Sequence, residues 1–147
     1  GLREPLLTPS AVGLARTMLL NPITLKPFVP PVRVACLSLL ESFAEKFRAA
    51  LSRREPAIRD FFDIDYAVRK LGIRVDQPGL AELVRRKMEI PGNEPPDVSA
   101  ERLESLRRQV ESQLKPVLRR KEFEEFSLDR AFAVVSRMAK RIASKEG

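Results

Sequence analysis

The sequence predicts a mainly α fold: a small helical bundle of about five helices, preceded by a short two-stranded β segment. Three observations carry that prediction. Apolar residues recur at helical spacing from Ser38 to the end of the chain. Six of the twelve prolines fall in the first 37 residues, beside two β-like runs. Ser38, Ser99 and Ser127 each stand just before a periodic stretch, where helix N-caps belong. Residues 1–37 are therefore read as a β/loop segment, and residues 38–147 as a helical domain.

The β-like runs are Gly13 to Leu20 (GLARTMLL) and Val32 to Leu37 (VRVACL), joined by NPITLKPFVPP, whose prolines fit a connection. A helix over Ser10 to Leu20 competes for the first run, because Pro9 suits a first helical turn. Two strands without a third are rarely stable alone, so this segment reads as the edge of a larger sheet. The opening GLREPLL starts on glycine, which predicts an excised or truncated stretch of a longer protein.

Ser38 followed by Glu41 has the form of a capping box, and Leu39, Leu40, Phe43, Phe47, Ala50 and Leu51 make one stripe behind it. Pro56 opens a second helix, with Ile58, Phe61, Phe62, Ile64, Val68 and Leu71 ahead of a stop at Gly72. A third, shorter helix covers Gly79 to Glu89. After PGNEPPD, Ser99 caps a fourth, with Leu103, Leu106, Val110, Leu114 and Val117 in step. Ser127 caps the last, with Leu128, Ala131, Phe132, Val135, Met138 and Ile142 turned inward.

Composition narrows the chemistry. There is no histidine, which excludes Ser-His-Asp and Cys-His machinery, histidine-bearing zinc sites and ribonucleases with a histidine base. Cys36 is the single cysteine and reads as a small buried hydrophobe. No apolar run approaches the ~20 residues needed to span a bilayer, and no signal peptide opens the chain, so a cytoplasmic protein is expected. The net charge of +7 favours polyanions, and in the cytoplasm those are chiefly nucleic acids and nucleotides. The runs Arg85-Arg86-Lys87 and Arg119-Arg120-Lys121 read as solvated faces.

The stretch Ala44 to Tyr66, AEKFRAALSRREPAIRDFFDIDY, is the most informative. Lys46 and Arg53 stand seven residues apart and share one edge of the first helix. Ala49 and Ala50 lie between them and are read as a low surface under which a ligand approaches both cations. Arg59, Asp63, Tyr66 and Lys70 share the polar face of the second helix, with Asp60 at its border. The proline break brings Arg53 and Arg54 towards the positive N-terminal end of that helix, an arrangement suited to cradling phosphate oxygens. The plainer alternative is an Arg59–Asp63 pair on the helix surface, with Asp60 favouring the helix start.

Ala44-Glu45-Lys46-Phe47-Arg48-Ala49, then Arg53 or Arg54, then Arg59-Asp60-Phe61-Phe62-Asp63 resembles the A-E-K-x-x-A-x-x-x-R and R-D-x-x-D motifs of the AbiEii/AbiGii nucleotidyltransferase toxin family. The resemblance covers residues 28 to 72. It implies a polymerase-β-like sheet followed by a helical part, in toxins of toxin–antitoxin and phage-defence systems. Such toxins would bind a nucleoside triphosphate with Mg²⁺ and transfer nucleotide to a target such as tRNA. By the same resemblance Lys46 contacts triphosphate and Asp63 positions a base or attacking group. Arg53, Arg54, Arg59 and Asp60 contribute to substrate binding. The family's metal-holding D-x-D follows a G-G or G-S turn, and this sequence has neither; Asp63-Ile64-Asp65 lies inside a helix. The chain is thus read as the C-terminal part of such an enzyme, inactive by itself, with no metal or cofactor of its own. A cognate antitoxin is a further expected partner. The alternatives are a self-contained basic helical RNA-binding module and an antitoxin-like protein-interaction module.

Overall fold

The computed structural model describes residues 6–144 and shows a helical bundle with a β-ribbon leading into it. Strands β1 (Ala11–Ala15) and β2 (Val32–Cys36) pair antiparallel, with Ala11 opposite Cys36 and Ala15 opposite Val32. The first run was expected to extend to Leu20, and it stops earlier for a physical reason. Beyond Val32 the opposite strand would be Pro31 and Pro30, which have no N–H to donate to a ladder. The remainder folds into a turn in which Asn21 binds Leu25 and Lys26 through its backbone, while its side chain accepts from Ile23 and Thr24 N–H.

Val12, Leu14, Val32 and Val34 on the ribbon are all exposed. Cys36 shares this exposure in part, which corrects the buried reading: the ribbon does not lie inside the core. Its Sγ packs against the opposite strand, where a Cβ on Gly13 would approach to 2.9 Å.

Six helices follow: α1 (Leu39–Ser52), α2 (Ile58–Lys70), α3 (Leu80–Met88), α4 (Ala100–Gln109), α5 (Arg120–Glu125) and α6 (Leu128–Ala143). Ser38, Ser99 and Ser127 cap α1, α4 and α6 by accepting backbone N–H bonds. Gly72, at φ 67°, ends α2 in a left-handed conformation that only glycine adopts freely. One face of each of the longer helices converges on Phe47, Leu51, Phe61, Ile64, Leu80, Val84, Leu106, Val135 and Met138. The rings of Phe61 and Phe132 stack at 6.0 Å, joining α2 to α6.

One departure from the sequence reading traces to a single residue. The apolar period running past Leu106 predicts one continuous helix to Val117. Instead the backbone widens into a π-turn over Val110–Leu114 and tightens into a 3₁₀ turn over Lys115–Val117. Pro116 sits in that tight turn; lacking an N–H and clashing with the preceding turn, it does not continue an α-helix. Val117 consequently faces solvent. The chain then restarts as α5, a short helix carrying Arg120 and Lys121 on its exposed side.

Candidate functional site: a cation pair gathered on Asp60

The elbow between α1 and α2 brings four of the motif side chains together. Lys46 Nζ lies 2.6 Å from Asp63 Oδ2 and 3.4 Å from Asp60 Oδ1. Arg53 Nη1 lies 3.4 Å from the other Asp60 oxygen. Lys46, Arg53 and Asp63 are each about two-fifths exposed, whereas the Asp60 side chain is 5% exposed. Asp60 is therefore a buried anchor with one cation at each oxygen, and Asp63 is the partner that solvent reaches. Burial works against a charged amine at Lys46, but the hydrogen bond and charge of Asp63, with Asp60 behind them, outweigh it. Its pKa lies above the ordinary lysine value.

The remaining sequence-predicted residues stand apart from this contact set. Arg59 is exposed, and Asp63 pairs with Lys46 rather than with Arg59 at i, i+4. Arg54 is exposed and, with Arg53, opens onto a cleft of ≈ 920 Å³ bordered by Asp97, Ser99 and Arg102. Neither Arg54 nor Arg59 forms an ion pair with a described carboxylate. Ala49 and Ala50 do not line a low surface: they are 3% and 1% exposed, and Ala50 belongs to the hydrophobic core. Their small size serves helix packing. Asp65, the second carboxylate of D-I-D, is fully buried and gripped by Arg69 from its own helix and by Arg130 from α6. It ties α2 to α6.

A second buried polar cluster was not legible as such. Lys87 of α3 is 0% exposed and lies 2.5 Å from Glu41 and 3.6 Å from Glu45. The expectation of a solvated Arg85-Arg86-Lys87 face fails for Lys87, because the helix period that exposes Arg86 turns Lys87 inward. Glu41 does not close the capping box on Ser38; its carboxylate accepts from Leu7 N–H and the Thr8 hydroxyl, fastening the segment before the ribbon to α1. Glu45, the motif's glutamate, holds Arg48, which reaches on to Asn93.

Fold and cluster together define a helical protein that presents two cations and a half-exposed carboxylate at one elbow. A family model described as "Nucleotidyl transferase AbiEii toxin, Type IV TA system" matches residues 3–136, well beyond the 28 to 72 that the motifs alone suggested. The chain belongs to the AbiEii nucleotidyltransferase toxin family. That family is one of toxin–antitoxin systems, and a cognate antitoxin belongs to its setting. No curated protein and no solved structure matches the chain. Among the described residues no helix is long and apolar enough to cross a membrane.

Proposed function

We propose that the elbow holds a nucleoside triphosphate for nucleotide transfer to an RNA acceptor such as tRNA, Lys46 and Arg53 meeting the phosphates. The observation that supports this reading is the sharing of Asp60: one buried carboxylate sets two half-exposed cations side by side, from helices carrying both motifs. Two fixed cations neutralise an oxyanion pair at little reorganisation cost.

The two carboxylates have unequal roles. Asp60, buried and shared between Lys46 and Arg53, stays in place as the anchor. Asp63 holds Lys46 in the free protein and gives way to phosphate oxygens, since an exposed ion pair is weak. Once displaced, its carboxylate is free to accept a proton from an attacking hydroxyl or to orient it. Arg54 and Arg59, exposed to either side, supply outer contacts to substrate phosphates.

Family members are expected to use Mg²⁺. Among the described residues no three His, Cys, Asp or Glu side chains cluster to hold a metal, and Asp60 and Asp63 are both paired with cations. The residues do not fit a metal site. Binding without transfer is the expected behaviour of the 147-residue chain.

Equilibrium titration with ATP and magnesium tests the reading. Lys46→Ala and Arg53→Ala each weaken binding about tenfold, or ~1.4 kcal/mol. Asp63→Asn tightens it by removing the competitor for Lys46. Unchanged affinity in both cation variants would discard the elbow as a triphosphate site.

A further inference from the structure

Helix α4 carries none of the motif residues, yet it grips both ends of the elbow. Arg102 is 5% exposed. Its Nη2 donates to Ala50 O at 2.9 Å and to Arg53 O at 3.0 Å, and its Nη1 donates to Arg53 O at 3.0 Å. These are carbonyls at the end of α1, where the helix offers them no N–H. Seven residues further along α4, Gln109 grips the start of α2. Its Oε1 accepts from Ile58 N–H at 2.9 Å, and its Nε2 donates to Pro56 O at 2.9 Å. The N-cap position of α2 is Ala57, which has no side-chain oxygen, so the amide of Gln109 does there what a capping serine does elsewhere.

A separation of seven puts Arg102 and Gln109 on one face of α4. Between them Leu106 is wholly buried in the core, which fixes the helix that carries both. The segment they bracket contains Arg53, and its bend sets how far α1's Lys46 stands from α2's Asp60 and Asp63. We propose that Arg102 and Gln109 are positioning residues that hold the α1–α2 elbow at the bend where Lys46 and Arg53 share Asp60. The inference rests on the triphosphate reading for its functional meaning. Its geometry is testable without any nucleotide.

The reactivity of Lys46 reports the bend. Contact with Asp63 and Asp60 keeps the amine protonated, and a relaxed elbow releases it. The wild-type chain, Arg102→Gln, Gln109→Leu and Val135→Ala are treated with an acylating reagent at several pH values, well below each melting temperature. Peptide mass spectrometry follows Lys46, with exposed Lys140 as internal reference. In Arg102→Gln and Gln109→Leu, Lys46 is acylated about threefold faster relative to Lys140, the rise in free amine for about half a pKa unit. Val135→Ala removes core packing on α6, a helix that carries none of the elbow's residues, and leaves the ratio unchanged.

An unchanged ratio in folded Arg102→Gln and Gln109→Leu overturns the inference, as does an equal rise in Val135→Ala. Arg102→Lys keeps the charge without the fork that spans two carbonyls, and it carries the test if Arg102→Gln does not fold. A parallel arm adds ATP and magnesium to the wild-type chain. Failure to protect Lys46 there counts against the triphosphate reading alone, because the elbow is judged on the nucleotide-free rates.

Discussion

Lys46 and Lys87 carry the same charge and have opposite consequences for the fold. Lys46 is two-fifths exposed, so water takes over when its partners are removed. Lys46→Ala and Asp63→Ala are each expected to change unfolding free energy by no more than about 0.5 kcal/mol. Lys87 is sealed between α1 and α3 with Glu41 and Glu45. Removing one member of such a pair leaves an uncompensated buried charge, and Lys87→Met is expected to cost about 3–5 kcal/mol by urea denaturation. A loss below about 1 kcal/mol would mean that the amine reaches water. Glu41 gives the same pair a pH signature. Burial raises its pKa, but hydrogen bonds from Lys87, Leu7 and Thr8 outweigh that and leave it below the ordinary 4.5. A carboxylate with a depressed folded pKa stabilises above its unfolded value and loses that contribution as pH falls through the folded one. The denaturation midpoint is therefore expected to drop as pH is lowered from 4.5, and Lys87→Met to flatten the decline.

At the scale of elements, what was legible is what local chemistry determines. Ser38, Ser99 and Ser127 announce three helices because a capping hydroxyl acts on N–H groups three residues away. Lys46 and Arg53 were legible as neighbours on one edge because the helix repeat puts them there. Pro56 announces the start of α2, but its cap was not legible, because it comes from Gln109, distant in sequence. Nor was the partner of Asp63: spacing within α2 offers Arg59, while Lys46 arrives from α1. Ala49 and Ala50 show the limit of reading a face from residue size. Small residues suit a shallow binding surface and a tight helix contact equally, and only the packing shows which applies. The correction changes the expected effect of a bulky residue. Ala50→Leu is expected to destabilise the fold by about 1–3 kcal/mol through overpacking, read as a lowered melting temperature, rather than to block a ligand on an intact fold. A wild-type melt for Ala50→Leu would contradict the burial of that face.

Across the whole molecule, the count of 27 lysines and arginines overstates the cations that a polyanion meets. Lys87 is neutralised by Glu41, Arg48 by Glu45, and Asp65 takes both Arg69 and Arg130. Arg102 is directed at backbone carbonyls. The cations left facing solvent include Arg54 and Arg59 beside the elbow, and Arg120 and Lys121 on α5. RNA binding by this chain is accordingly expected to be weak and carried by few phosphates. For about four contacts to a single strand, log affinity falls with log salt at a slope near −3, so raising salt from ~50 to ~200 mM weakens binding about 50-fold. Arg54→Ala and Arg59→Ala are each expected to lower the magnitude of that slope by about 0.7, with little change among RNA sequences, as befits contacts to phosphate rather than to bases. Lys121→Ala provides the contrast, since α5 pairs through Glu125 with Arg69 and Lys70, at the opposite end of α2 from the elbow. An equal effect from Lys121→Ala would indicate diffuse attraction to the whole surface. Absence of binding at ~50 mM would assign the charge to solubility alone. A slope that responds to Arg54 and Arg59 and ignores Lys121 would place the RNA backbone beside the same elbow that gathers Lys46 and Arg53, bringing acceptor and triphosphate within reach of Asp63.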